Sequence, residues 1–426
     1  MAQNTGRPAG RPGTRRKRLR MAVAVGAIAL GSLGAQANAA TGTAPGAAPG
    51  AATGTAPAAP SGPAARAATP WTLRTPLSET VSREFWGVAA TGAKDAWTVG
   101  RTTDGDTGST PLIRHWDGTA WTDVAAASTG GKAARLERVD ASGPDDAWAA
   151  GTLDDNASAP IVLQHWDGEK WTGVDHAAAP EGSLSFVGDI ATFGTKAAWL
   201  TGFDWNPQSN AQVSYLERWT GAEWRRVSLP AAPGGGEVRP ADITGTGPDD
   251  VWVTADAVTG EVSVPLLYHW DGGGWTVREV PTPAETATGW SATHAVAAGR
   301  GTVYVLGRTE DPRAAGATMA VRWTGGGWRS LPALPVDEAN AAGADGAGRL
   351  WIAGWAPGDP HTVLSRWTGT KWATEKLPAE VTEHSEMSTV LGIAGVPGTK
   401  GVFAAGLAGC ASDPVQCGLL VSRDLR

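Results

Sequence analysis

The sequence predicts an all-β fold, a seven-bladed β-propeller of four-stranded antiparallel blades, and three observations predict it. Trp-[Asp/Thr]-Gly, followed two residues later by another Trp, occurs six times: Trp116–Trp121, Trp166–Trp171, Trp219–Trp224, Trp270–Trp275, Trp323–Trp328 and Trp367–Trp372. Self-similarity at a period of about 50 residues marks a repeat architecture of one small sheet per unit. A second slot recurs seven times as an aromatic followed by small or apolar residues and usually Gly: Trp97, Trp148, Trp199, Trp252, Tyr304, Trp351 and Phe403. Strand-length apolar segments bounded by Gly, Pro and Asp recur throughout, and no segment holds a helical period for three turns.

Before the repeats come two segments of other composition. Residues 1–39 read as a secretory signal peptide, with seven basic residues and no acid in the first 20, an apolar run from Met21 to Leu33, and the small-residue cleavage site Ala37-Asn38-Ala39. The apolar run is shorter than the roughly 20 residues that span a bilayer. Arg15-Arg16-Lys17-Arg18 also resembles a twin-arginine export signal, with Arg18 where that signal carries an apolar residue. The chain is therefore expected to be secreted, by the Sec or the twin-arginine route. Residues 40–69 are almost entirely Ala, Gly, Pro, Thr and Ser. Without aromatic residues or periodicity they cannot bury enough surface to offset ordering entropy, so they are expected to form a disordered linker. Residues 70–426 hold the propeller.

The first full unit divides into strand A (Val88-Ala89-Ala90), strand B (Ala96 to Val99), strand C (Leu112 to Trp116) and strand D (Trp121 to Val124). Four antiparallel strands of this size form one blade, and seven blades close a ring. Gly118 at the first central position of the C–D corner suits a two-residue type II′ turn. Trp116 and Trp121 then face each other as a non-hydrogen-bonded pair, where side chains approach most closely. The Asp or Thr before the Gly is placed to hydrogen-bond the turn backbone.

The chain ends predict closure. Trp71-Thr72-Leu73-Arg74 reads as a strand D with no A, B or C before it, and Leu419 to Arg423 reads as a final strand C with no D after it. Pairing the two completes blade 7 and removes a free edge. Asp424 stands where the seventh Trp of strand C is expected. Strand A segments are rich in Ala and Gly, as suits strands converging on an axis.

On these motifs the repeat resembles the secreted bacterial seven-bladed propellers with a V-W-A-V-G strand and a W-D-G-x-x-W hairpin, distant structural relatives of kelch and Asp-box propellers. The resemblance covers residues 71–426. It departs from kelch repeats, which carry a Gly-Gly doublet with a following Tyr, and from WD40 repeats, which carry an upstream Gly-His. What it implies is the fold; it implies no activity.

Charge and inventory narrow the function. Without the seven basic residues of the leader, 28 basic residues face 42 acidic ones, a formal charge of −14. Such a surface repels phosphate backbones and excludes nucleic acid as a natural partner. Cys410 and Cys417, the only cysteines, are expected to form a local disulfide in an oxidising compartment.

B–C loops and D–A connections emerge on one face and are long and irregular, the usual place for binding on a rigid scaffold. Eighteen of the 22 Trp fill repeat slots, and the other four are Trp86 and Trp290 at the start of strand A and Trp205 and Trp355 after strand B. With Asp104, Asp106, Asp154, Asp155, Asp359, His361 and His384 they form the candidate ligand-binding set. Exposed aromatics among carboxylates suit carbohydrate. His361 and His384 are candidates to approach one another. His115, His165 and His269 share one strand C slot in different blades and cannot converge on a metal.

A sialidase needs a carboxylate-activated Tyr and an Arg cluster, and a copper-radical oxidase needs axial Tyr and His ligands. The three Tyr all fall in strand slots. A two-carboxylate glycosidase is compatible with the acidic loop face. There is no nucleophile elbow, P-loop, dinucleotide fingerprint or H-E-x-x-H. The expectation is an exported, monomeric, non-catalytic scaffold that binds a glycan, cell-wall polymer or extracellular protein without a cofactor, with a glycan-active hydrolase or lyase as the alternative.

Overall fold

The computed structural model describes residues 70–78, 81–103, 108–153, 161–177, 179–260, 262–282, 290–309, 318–410 and 415–425, all within the compact unit Gly54–Arg426. They form seven four-stranded antiparallel sheets, each running A-B-C-D in spatial order. Strands A are Ser82–Gly92, Ala134–Gly143, Leu184–Thr192, Glu237–Gly247, Trp290–Ala297, Glu338–Ala344 and Ser388–Gly395. Each strand A contacts the strand A of both neighbouring blades, so these strands form the innermost ring. The leader and linker lie outside the described residues.

The seventh sheet closes as the chain ends require. Thr72 pairs with Ser422 and Leu73 with Val421. The closure extends beyond this short strand: Thr75 Oγ1 donates to the Gly418 carbonyl at 2.9 Å and accepts from the Leu420 N–H at 3.2 Å. Trp71 is buried against Trp351 of blade 6, ring centroids 5.5 Å apart, and its indole N–H donates to Glu375 at 2.8 Å.

The corner motif behaves as its chemistry demands. Trp116 pairs with Trp121, Gly118 has φ 98°, and Asp117 accepts the N–H groups of Thr119 at 2.7 Å and Ala120 at 2.9 Å. A side chain at position 118 is strained by that φ. The strand C Trp is bound at its far end too. The indole N–H groups of Trp116, Trp166 and Trp219 donate to the carbonyls of Ala93, Pro144 and Thr195 in the A–B corners. Phe could not do this, which explains why the slot holds Trp.

At five of the seven seams between blades, the strand B aromatic of one blade meets the strand D Trp of the next edge to face. Trp97–Trp171, Trp148–Trp224 and Trp199–Trp275 have centroids 5.3, 5.1 and 5.4 Å apart at 89°, 84° and 81°. Phe403–Trp121 carries the same contact across the closure at 5.7 Å.

Two features depart from the sequence expectation. A short helix, Ala379–His384, interrupts the connection from blade 6 to blade 7. Every strand A also carries a bulge, leaving one residue without a strand B partner: Trp86, Glu137, Gly188, Ala241, Thr293, Asn340 or Leu391. The recurring Gly of strand B sits opposite this kink. A Cβ on Gly100 would lie 1.7 Å from the Glu84 carbonyl oxygen, so only Gly fits there.

Trp171→Ala should cost about 3 to 5 kcal/mol of stability as a large-to-small core change, read from urea unfolding. Deleting residues 71–75 should lower the melting temperature by several degrees; an unchanged melt would contradict the closure.

Candidate functional site

The predicted loop-face residues separate into different environments. Trp290 is fully buried, packed over Gly307, whose added Cβ would approach the indole to 2.5 Å. It is a core residue and offers no surface to a ligand, because the start of strand A lies under the neighbouring strand B. Trp205 and Trp355 are half-buried and lie within strand B rather than in loops, since strand B runs to Asn206 in blade 3 and to Trp355 in blade 6. Their indole N–H groups donate to Asn210 at 3.1 Å and to the Ser388 carbonyl at 3.3 Å. Trp86, also half-buried, lies between the guanidinium groups of Arg101 and Arg135, 5.9 and 5.7 Å from its ring centre, with its N–H on Glu84. Asp104, Asp106, Asp154 and Asp155 lie outside the described residues.

His361 and His384 are not joined. His361 Nδ1 is 3.2 Å from Ser388 Oγ, whereas His384 Nδ1 bonds the Glu380 carbonyl of its own helix at 2.8 Å. Asp359 accepts from Lys376 at 3.2 Å and from the His361 N–H at 3.0 Å, and those hydrogen bonds hold its carboxyl below the usual range. Asp359, His361 and Lys376 line a small cavity of about 80 Å³. Among the described residues, no group of three His, Cys, Asp or Glu is arranged to hold a metal. Cys410 and Cys417 are disulfide-bonded across the B–C hairpin of blade 7.

The histidine slot on strand C has a structural job. His115, His165 and His269 bond Asp95, Asp146 and Asp250 at the A–B corners, at 2.6, 2.8 and 2.8 Å. Each ring lies on the strand B Trp, at 4.3, 4.4 and 3.8 Å. Where other blades place Arg218, Arg322 and Arg366, the guanidinium lies over the strand B aromatic at 5.1, 5.4 and 5.6 Å. The slot takes a cation or imidazole that covers the core ring.

A loop-face cavity of about 290 Å³ opens where blade 3 meets strand A of blade 4. Leu216, Val227, Leu229, Val238 and Pro240 supply apolar walls, and Ser214 and Ser228 supply hydroxyls. Trp205 is on the same face of its strand pair as Ser214, because Phe203 pairs with Ser214 and Trp205 with Gln212. Val213, Val262 and Val264 are exposed nearby on the strands of the same two B–C hairpins.

Arg226 borders this cavity but brings no surplus positive charge to it. It bonds Asp204 at 2.8 Å and Glu217 at 3.0 Å, both nearly inaccessible to solvent, and stacks 3.9 Å from the Tyr215 ring centre. Asp204, near the loop-face end of strand B, is thus a buried staple. Glu217 also accepts the Ala177 N–H at 3.3 Å, as Gln164 accepts that of Ala127 one blade earlier. The shared slot fixes the preceding D–A connection.

Sequence reasoning missed a polar cluster on the innermost ring. Arg138, Asp189, Asp242 and His294 occupy the position just after the bulge in blades 2 to 5. Arg138 donates to the Gly188 carbonyl at 2.9 Å and lies 3.7 Å from Asp189. Burial raises both Asp189 and Asp242, and the charge of Asp189 adds to the rise at Asp242. Asp140 accepts the Thr192 N–H of blade 3 at 2.7 Å, and Asp242 accepts the Ala295 N–H of blade 5 at 2.7 Å. Burial pushes Asp140 up to about 7, with Asp189 and Asp146 adding to it. Burial drives His294 down to about 4, helped by Arg138. The available signal was charge at one register position within otherwise Ala- and Gly-rich strands.

The fold defines the class of protein: the chain is a seven-bladed β-propeller. No family model and no curated protein matches it. Solved structures that it resembles include one described as YCF48 bound to D1 peptide, at 14% identity and TM-score 0.48 over 83% of this chain and 97% of that one. Another is the GH74 xyloglucanase from Xanthomonas campestris, at 16% identity and TM-score 0.49 over 81% and 54%. A third is the SapL1 lectin in complex with alpha methyl fucoside, at 14% and 0.42 over 71% and 98%. At these values the likeness concerns the course of the chain, and no activity is carried over from it.

Arg226→Ala should destabilise the protein by about 3 kcal/mol, because it leaves two buried carboxylates without their cation. Urea unfolding checks this, and a loss below about 1 kcal/mol would contradict the staple.

Proposed function

We propose that the chain is an exported, non-catalytic binding scaffold whose loop face recognises a neutral glycan, such as a cell-wall polymer, at the seam between blades 3 and 4. The observation that carries this reading is the cavity of about 290 Å³ with apolar walls, serine hydroxyls and the Trp205 indole on the same blade face. A sugar ring presents an apolar face and a rim of hydroxyls, and this lining offers both. Arg226 is paired with both Asp204 and Glu217, two carboxylates against one guanidinium, so the site provides no surplus positive charge for a phosphate or carboxylate ligand. The Trp205 N–H is held by Asn210, which fixes the indole before a ligand arrives and lowers the ordering cost of binding. Trp355, Trp86 and Asp359 are proposed as secondary contacts.

A glycan-active hydrolase or lyase is the second reading. Its support is the set of partly buried carboxyls on the innermost ring, which hold protons more tightly than ordinary acids, as a general acid must. Against it, Arg138 lies 3.7 Å from Asp189, and a neighbouring cation favours the ionised form rather than the protonated form that a general acid needs. Release of reducing ends from a bound polysaccharide, lost in Asp189→Asn, would favour catalysis.

A glycan and cell-wall polymer screen of residues 70–426 tests binding. Trp205→Ala should weaken the best ligand by about 2 kcal/mol, roughly thirty-fold in Kd, without changing the melting temperature. Ser228→Trp, which fills the cavity, should act in the same direction. Unchanged binding in both variants would refute the assigned seam.

A further inference from the structure

The seam between blades 3 and 4 continues outward from the cavity as a cleft between two B–C hairpins. In blade 3, Phe203 pairs with Ser214 and Trp205 with Gln212, two and four residues out from Leu216 on strand C, so Trp205, Gln212 and Ser214 share the sheet face of Leu216. In blade 4, Val264 and Val262 follow Leu266 outward on one face in the same way. The two faces look at each other, because Leu216 and Leu266 pack in one apolar cluster. Ser214 lines the cavity and also stands on the cleft wall, so cavity and cleft are continuous.

Exposure rises along the blade 4 wall: Leu266 is 1% exposed, Val264 37% and Val262 62%. The core face thus emerges into solvent without changing its chemistry. Large apolar side chains are rarely exposed among the described residues, and these two are neighbours on one strand face beside a cavity. Such a strip marks a contact surface. The blade 3 wall supplies the polar complement. Trp205 and Ser214 are half-buried there, and the Gln212 Nε2 is shielded from solvent with no hydrogen-bond partner among the described residues. An enclosed donor without a partner is costly, and an incoming oxygen acceptor removes that cost.

We propose that this cleft holds an internal stretch of a neutral polysaccharide, with one sugar ring seated in the cavity. The following rings lie between Trp205 and Gln212 on one side and Val262 and Val264 on the other. The inference rests on the glycan reading above and adds to it the length and path of the ligand. From Leu266 to Val262 the cleft extends by roughly 14 Å at about 3.4 Å per residue, more than a single sugar ring occupies. Among the described residues, no charged side chain stands on either face along this stretch. The one guanidinium at the cavity is held by two carboxylates. A neutral chain of apolar ring faces and hydroxyls matches walls of apolar area, one indole and isolated donors.

The test uses the full chain and neutral homo-oligomers of one and six units, built from glucose, xylose, mannose, galactose or N-acetylglucosamine, with binding read by titration calorimetry. The cleft predicts a hexamer that binds at least about tenfold more tightly than its monomer. Val262→Ala with Val264→Ala, and separately Gln212→Leu, should each reduce that ratio at least about threefold without lowering the melting temperature. Hydrogen exchange in Ala211–Trp219 and Val262–Trp270 should slow with the hexamer more than with the monomer. Equal affinity for monomer and hexamer, or a ratio indifferent to both variants, overturns the cleft and leaves the glycan reading in place. Failure of every oligomer to bind overturns both. Reduced and alkylated lactalbumin that binds the unaltered chain and is lost in the valine variant would assign the cleft to peptide, overturning the proposal. Should the variants not fold, exchange in the unaltered chain decides: a hexamer that binds and leaves both strands unprotected overturns the cleft.

Discussion

The fold depends on one repeated contact, the edge-to-face packing of a strand B aromatic on the strand D Trp of the next blade. A four-stranded sheet with two apolar faces cannot bury them alone, so each blade is completed by its neighbours. Indole is suited to the wedge that opens as blades fan from the axis. It is large, it prefers perpendicular partners, and its N–H can be tied down. On strand C that N–H reaches the A–B corner, and on Trp71 it reaches Glu375 of the preceding blade. Ring closure by two N-terminal residues works because Trp71 and Thr75 add contacts that a two-residue strand lacks.

Much of this architecture was legible because it is written locally. The Trp-x-Gly-x-x-Trp corner, the strand B slot and the unpaired strand D at residue 71 each fall within a few residues, where spacing and strand alternation suffice. What escaped was written between distant positions. His115 finds Asp95 twenty residues earlier, and Arg226 is matched by acids on two other strands. Nothing in the spacing distinguishes those acids from solvated ones. Trp290 and Trp205 look alike in sequence, yet the strand above Trp290 buries it completely while Trp205 stays half-exposed. The strand A bulge did leave a trace in the strand B Gly opposite it. Reading that trace required knowing how closely the Glu84 carbonyl approaches Gly100.

The site and the ring divide the chemistry. At the loop-face seam of blades 3 and 4 the Arg226 guanidinium is held by two carboxylates, and hydroxyls and apolar walls line the cavity beside it. The inner strands of those blades carry Asp189 and Asp242, acids among otherwise small residues.

The most direct test of the central contact is a double-mutant cycle on Trp148 and Trp224, whose rings meet edge to face at 5.1 Å across the blade 2–3 seam. Unfolding free energies would be measured for Trp148→Leu, Trp224→Leu and the pair. The account predicts a favourable coupling of about 0.5 to 1.5 kcal/mol beyond the two separate losses. Strict additivity would show that the two indoles contribute only as buried area, and the edge-to-face relay would then not be what holds neighbouring blades in register.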